Sequence, residues 1–322
     1  MKINKRAIIL NIFLFFLSIL PMGCGPKLSK DTAFFMGTFV EVTSENPVAQ
    51  EVVFKEFERV EKMCSLFDKS SELARLNASG GLVVSRELFD LLKKAQLFYV
   101  MTDGAFDPTV APVSSMWKKA IALEKVPGEQ EVRDGLSYVG FDYVYLNEKD
   151  LSVKLLKMGV QIDLGAIAKG YALDCSIKRL KELQIDSAIV NAGGDLYCLG
   201  KNCQHSWRVG IQDPRHKQGI MSRFEIENKA VATSGDYEQF FTFQNKRYSH
   251  IIDPKTGYPA VSGVVSATVV APDVLTADVL ATAFVVLGFD KSVDIVSRFQ
   301  GIEAKLIAEN GKILSLSSGL KS

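Results

Sequence analysis

Residues 207–252 read WRVGIQDPRHKQGIMSRFEIENKAVATSGDYEQFFTFQNKRYSHII. β-Branched and aromatic residues recur throughout, and turn residues punctuate the stretch at Asp213-Pro214, Ser234-Gly235 and Asn245-Lys246. That composition predicts consecutive antiparallel strands. Working upstream, Ser187–Val190 predicts a buried strand, and a helix is expected from Gly165 to about Leu183. Tyr138–Leu146, Leu151–Leu156 and Val160–Ile162 predict short strands. Leu88, Leu91, Leu92, Ala95 and Phe98 mark one amphipathic helix. Val53, Phe57, Val60, Cys64 and Phe67, spaced by 4, 3, 4 and 3, mark another. Phe34–Thr43 predicts a strand. Downstream, Val264–Ala271 predicts a strand, and Ala277–Leu287 and Asp290–Phe299 predict helices. Ala304–Ile307 and Lys312–Leu316 predict two closing strands. Strands fall in groups with helices interspersed, without regular βα alternation. The fold expected is therefore α+β: a two-lobed single domain over residues 31–322, mostly antiparallel sheet with flanking helices and a cleft between the lobes.

The 322 residues are 47% hydrophobic and 23% charged, which excludes a disordered or collagen-like chain. The net charge of +1 gives no basic field for nucleic acid. Residues 1–23 have the layout of a signal peptide: Lys2, Lys5 and Arg6, then the apolar run Ala7–Leu20, then Pro21-Met22-Gly23-Cys24. A small residue directly before a cysteine resembles a lipoprotein cleavage site, with Cys24 taking the lipid and residues 24–30 forming a tether. An uncleaved anchor or a cut elsewhere is the alternative. Exported, membrane-anchored placement facing the periplasm or cell exterior is expected. Cys198 and Cys203 flank a turn and suit either a hairpin disulfide or two free thiols.

Polar, glycine-containing segments interrupt the apolar elements. Asp278 and Thr282 lie four apart on a predicted helix, and share a face. A carboxylate and a hydroxyl there are hard oxygen donors suited to Mg²⁺; a helix-start aspartate and a buried threonine are the plainer reading. Asp163 to Gly170 is a strand-to-helix passage. Its first amides and Lys169 could face a phosphate, or Asp163 could be a cap and Lys169 a surface residue. Of the three histidines, His250, ahead of Asp253-Pro254, is the candidate to titrate near neutral pH. Asn191–Asp195 suits a backbone anion nest or a simple turn.

Taken in order, Met36-Gly37-Thr38, Phe67-Asp68, Ser71-Glu72-Leu73, Leu76-Asn77, Gly104–Thr109, Asp163–Gly170, Gly193-Gly194-Asp195, Thr233–Tyr237, His250–Gly257 and Asp278–Thr282 resemble the ApbE-type FAD:protein FMN transferases. The resemblance covers roughly residues 31–290. It implies an α+β enzyme with FAD as substrate in the cleft and Mg²⁺ as cofactor. Such an enzyme breaks the FAD pyrophosphate, releases AMP and joins FMN to a threonine of an acceptor protein, for example a membrane redox-complex subunit. By position, Met36, Phe67, Ala105, Phe106, Asp107, Asp163, Lys169 and Ile251 would line the FAD site. Ala166 through its carbonyl, Asp278 and Thr282, with Ala281 nearby, would hold the metal; on the chemistry, the catalytic residues expected are Asp278, anchoring Mg²⁺, and His250, taking the acceptor hydroxyl proton, with Asp278 as the alternative base. An FAD pyrophosphatase and a non-catalytic FAD-binding lipoprotein are the alternatives.

Overall fold

A computed structural model of the protein describes residues 28–202, 204–215, 219–237, 240–244 and 246–319. The expected signal peptide, Cys24, Cys203 and His216 lie outside the described residues. The chain opens with strands β1 (Ser29–Phe35) and β2 (Thr38–Ser44), helices α1 (Val48–Cys64) and α2 (Glu72–Ser79), β3 (Gly81–Val83) and α3 (Arg86–Met101). Next come α4 (Ala111–Ala122), α5 (Glu129–Leu136), β4 (Val144–Asn147), β5 (Ser152–Leu155) and α6 (Gly165–Glu182). Strands β6 (Ala188–Ala192), β7 (Asp195–Leu199), β8 (Trp207–Gln212), β9 (Ile220–Ile226), β10 (Lys229–Gly235), β11 (Phe240–Phe243), β12 (Lys246–Ser249) and β13 (Val264–Ala271) follow. Helix α7 (Val274–Val296) and strands β14 (Glu303–Ala308) and β15 (Ile313–Ser317) complete it.

Eight strands form one sheet in the order β1-β2-β6-β7-β10-β13-β14-β15, with every neighbouring pair antiparallel. The period of two along each strand sorts side chains onto two faces. On β10, Ala230 and Ala232 join the main core, whereas Val231 joins a second cluster with Cys198, Trp207, Val209 and Ile226. The main-core face is covered by α1, α6 and α7, and the other by the β8–β9 hairpin. From α1, Val53, Phe57 and Val60 are fully buried, each contributing about 1.5–3 kcal/mol relative to exposure. A third, smaller core gathers Val113, Trp117 and Ile252 with Phe241, Tyr248 and Tyr258. It ties α4 to the segment that follows β10, and the Trp117 Nε1–H donates to the Gly257 carbonyl at 2.8 Å. The α+β reading holds.

Several local expectations change. Phe34–Thr43 is a hairpin and not one strand, because Met36 (φ 51°) and Gly37 (φ 76°) both adopt the left-handed conformation of a two-residue turn. Phe67 lies past the end of α1, and Val160–Ile162 is not a strand. Ser234-Gly235 ends β10 and is not the turn expected there; the β9–β10 turn falls at Glu227-Asn228. The two helices expected near the C-terminus are present, running on from one another as α7 with a kink at Gly288, whose backbone (φ 78°, ψ −174°) is non-helical. Ser29 and Lys30, placed in the expected tether, pair with Ser44 and Thr43 in the sheet. Cys198 is a buried free thiol. No helix among the described residues is long and apolar enough to cross a membrane.

Candidate functional site

Helix α6 starts at the corner that follows the irregular segment 160–164 and is fixed there from both sides. The Asn77 side chain holds the Ile162 backbone twice, its Nδ2–H donating to the carbonyl at 2.8 Å and its Oδ1 accepting from the amide at 2.9 Å. The Asp163 amide donates to the Pro108 carbonyl at 2.7 Å, which joins the corner to the Gly104–Thr109 segment. In that segment Asp107 is buried, and its Oδ1 accepts from the Thr109 amide at 2.8 Å and hydroxyl at 2.6 Å. Burial pushes the Asp107 carboxyl up to about 6, against the pull of those bonds. The Asp163 carboxylate accepts from the Gly165 amide at 2.8 Å, so one of the helix-start amides proposed for a phosphate already has a partner.

One turn on, the Lys169 ammonium lies between two buried carboxylates. It pairs with Asp195 at the start of β7 and, at 3.2 Å, with Asp278 on α7. Burial works against the lysine charge, but the two carboxylates outweigh it and hold its pKa above the ordinary value. Burial, helped by the Asp195 charge and opposed by Lys169, pushes Asp278 up to about 7. Thr282 is one turn beyond Asp278, and its hydroxyl is 3.0 Å from that of Ser234 at the end of β10. The first hairpin reaches the same place: the Gly193 amide, two residues before Asp195, donates to the Phe39 carbonyl at 3.1 Å.

Helices α6 and α7 meet backbone to backbone. A Cβ on Gly170 would lie 2.7 Å from Leu275 Cα and 2.9 Å from Leu275 N. The Asp174 carboxylate caps α7, accepting from the Val274 amide at 2.8 Å and the Leu275 amide at 3.0 Å, and Asp273 accepts from Thr276. Burial pushes Asp174 up to about 7, against those two bonds.

The structure thus brings Lys169, Asp278 and Thr282 together, with Asp163 at the start of the same helix. Met36 is at the hairpin tip, its amide donating to Glu61 at 2.8 Å. Ala105, Phe106 and Ile251 are almost fully buried, Ala166 is exposed, and Ala281 is fully buried beside Thr282. Phe67 is 93% exposed, and His250 is exposed just past β12. Sequence reasoning left Asp195, Ser234 and Asn77 out of the site, although each lies in a segment that carried the resemblance. Asp174 had no such signal, since only packing against α7 gives it a role.

No three His, Cys, Asp or Glu side chains among the described residues gather into a metal cage. A Mg²⁺ ion needs no cage, because it commonly takes one or two carboxylates together with substrate phosphates and water. The donors here are of that kind: the buried Asp278 carboxylate and the Thr282 hydroxyl. The charges agree. Asp163, Asp195 and Asp278 outnumber Lys169, so an anionic diphosphate entering here needs further positive charge. The residues present therefore fit a divalent cation. Two grooves, about 700 Å³ beneath the β8–β9 hairpin and about 880 Å³ beside the α7 start, have neither Lys169, Asp195 nor Asp278 in their lining.

The family model described as "ApbE family" matches residues 36–306. The chain belongs to the ApbE family. A FAD:protein FMN transferase of Treponema pallidum is 35% identical over 298 residues, covering 85% of this chain and 82% of that one. One of Klebsiella pneumoniae is 30% identical, covering 88% and 90%. Among solved structures, the Thermotoga maritima ApbE protein superposes with a TM-score of 0.83 at 33% identity, covering 90% of this chain and 97% of that chain. The flavin transferase ApbE of Vibrio cholerae gives 0.79 at 28%, covering 91% and 98%. The mixed, mostly antiparallel architecture is therefore that of this family.

Proposed function

We propose that this protein is a Mg²⁺-dependent FAD:protein FMN transferase. A threonine hydroxyl oxygen of an acceptor protein bonds to the phosphorus of the FMN half of FAD. The pyrophosphate P–O bond breaks, AMP leaves, and the hydroxyl proton passes to a base. The observation that carries this reading is the Lys169 ammonium held between Asp195 and Asp278, with Thr282 one turn away, in a chain whose curated relatives bear that name.

Phosphoryl transfer asks a protein chiefly for positioning and charge neutralisation. Lys169 supplies a fixed positive charge to phosphate oxygens. Asp278 and Thr282, with the Ala166 carbonyl and Ala281, would hold Mg²⁺. Bound there, the ion would neutralise the diphosphate and stabilise the AMP phosphate as it leaves. Met36 and Phe67 offer apolar contact to the flavin or adenine ring, and Ala105, Phe106, Asp107, Asp163 and Ile251 frame the nucleotide in a cleft between the lobes. His250, exposed at the mouth of the Ile251 segment, takes the proton of the acceptor hydroxyl. Residues 1–23 direct export and Cys24 carries a lipid, so that the enzyme faces the periplasm or cell exterior from a membrane.

The test is incubation with FAD, Mg²⁺ and a threonine-containing acceptor, read by intact mass. Acceptor gaining the mass of esterified FMN, with one AMP released per adduct, is the expected result. FMN and AMP without adduct would assign a pyrophosphatase instead, and intact bound FAD a carrier. Asp278→Ala should abolish Mg²⁺-dependent AMP release. His250→Asn should leave FAD affinity nearly intact and slow transfer; transfer at the full rate removes its role.

A further inference from the structure

We infer that Asp195 is a positioning residue that draws Lys169 away from Asp278 and so frees Asp278 for its divalent cation; this rests on the metal reading above. The ammonium pairs with both carboxylates at once. All three side chains are largely enclosed, with only 24% of the Lys169 side chain and 6% of each aspartate exposed, so water screens their attraction weakly. Lys169 sits on Asp278 Oδ2, and a cation on the same carboxylate competes for that oxygen and is repelled by the ammonium. Asp278 can take a cation only as Lys169 gives it up, and an ammonium released into an enclosed site without a counter-ion is costly.

Asp195 removes that cost. It stands at the first position of β7, fixed by the β6–β7 turn, where the Asn191 side chain accepts from the Gly194 amide at 2.9 Å. Asp195 is thus a rigid second seat for the ammonium, within reach without rotation of either helix. From that seat Lys169 still presents its charge to an incoming phosphate. Asp195 is on this account not itself a metal ligand.

The competition has a definite sign in each variant. Mn²⁺ titrated into the FAD-free protein and followed by its EPR signal serves as the probe, with thermal melting confirming that each variant is folded. Asp195→Asn leaves Lys169 with Asp278 alone and should weaken Mn²⁺ binding roughly tenfold, the size expected of a coupled buried pair. Lys169→Met should strengthen binding. Adding Lys169→Met to Asp195→Asn should recover most of the loss. Unchanged affinity in Asp195→Asn, weaker binding in Lys169→Met, or no recovery in the double variant overturns the inference, the last by making Asp195 a ligand or a merely structural residue. Because Lys169→Met keeps both carboxylates, its result decides even if Asp195→Asn fails to fold. Wild-type protein that takes up no Mn²⁺ overturns the metal reading and this inference together, whereas binding that responds in the wrong order overturns the inference alone.

Discussion

Gly170→Ala pits helix propensity against packing, and the distances decide between them. In the interior of an isolated helix, alanine is better than glycine by about 1 kcal/mol. Gly170 is different, because its missing side chain is where α7 passes. The added methyl would lie 2.7 Å from Leu275 Cα, 2.9 Å from Leu275 N and 3.0 Å from the Val274 carbonyl carbon. Comfortable carbon–carbon contact is about 3.5–4.0 Å, so the helices must part by roughly 1 Å. These neighbours are backbone atoms and cannot rotate aside. Overpacking of this kind costs about 1–3 kcal/mol. Parting the helices also stretches the two Asp174 bonds to Val274 and Leu275, each worth about 0.5–1.5 kcal/mol. The net expectation is a loss of about 2 kcal/mol. It is measured by urea unfolding followed by tryptophan fluorescence, with the slope unchanged and the midpoint lowered. The same separation moves Lys169 on α6 away from Asp278 and Thr282 on α7, so the phosphate-facing ammonium and the proposed metal donors lose their mutual placement and transferase activity should fall more than the loss of folded protein accounts for. A variant as stable as wild type would refute the reasoning, because it would mean that α6 and α7 have slack where the site needs contact.

Three further outcomes follow from the same distances. Asn77→Ala leaves the Ile162 amide and carbonyl without their partners and should cost about 2–4 kcal/mol, with weaker FAD binding because the Asp163 corner is released; equal FAD affinity would detach that corner from the site. Trp117→Phe leaves the Gly257 carbonyl unpaired in the third core and should cost about 1–3 kcal/mol by urea unfolding, and a change within error would show that water replaces the indole. Asp174 at about 7 and Asp107 at about 6 sit above the ordinary carboxylate value of 3.8, so between those values the folded chain binds more protons than the unfolded one. Stability should therefore fall as pH rises from about 4 to about 7, and Asp174→Asn should flatten the fall, as read from urea midpoints at both ends of the range. An unaltered slope would show that Asp174 is ionised throughout.

Elements with a strong local signal were legible in the sequence. Val264–Ala271 is a strand at the expected bounds, and α6 ends within a residue of its expected end, because apolar period and flanking turns agree there. The misses have local causes too. A single left-handed pair, Met36 and Gly37, turns one expected strand into a hairpin, and Met at such a position carries no turn signal. Phe67 continues the helical spacing of Val53, Phe57, Val60 and Cys64, yet Ser65 adopts an extended conformation (φ −63°, ψ 131°) and leaves Phe67 outside the core. Spacing reports which residues could share a face, not where the backbone leaves the helix.

The site itself was legible only as separate pieces, and the reason lies in how α6 and α7 meet. Lys169 is 109 residues from Asp278 and 26 from Asp195, and no periodicity connects them. Three contacts set their geometry: Lys169 with Asp278, Gly170 against Leu275, and Asp174 on the Val274 and Leu275 amides. Going forward along α6 means going back along α7, so the two helices run antiparallel here. That direction has a chemical consequence. The start of α7, otherwise a natural seat for a phosphate, is spent on Asp174 and Asp273, and the positive end of its dipole is turned toward carboxylates. At the start of α6, Asp163 takes the Gly165 amide. With the α7 start spent on aspartates and one α6 amide taken by Asp163, the proposed function would draw its attraction for a diphosphate chiefly from Lys169 and from a cation at Asp278. On the proposed function, neutralising a dinucleotide would fall to an ammonium and a divalent ion that share one carboxylate, and a second carboxylate, Asp195, is what would allow both to be present.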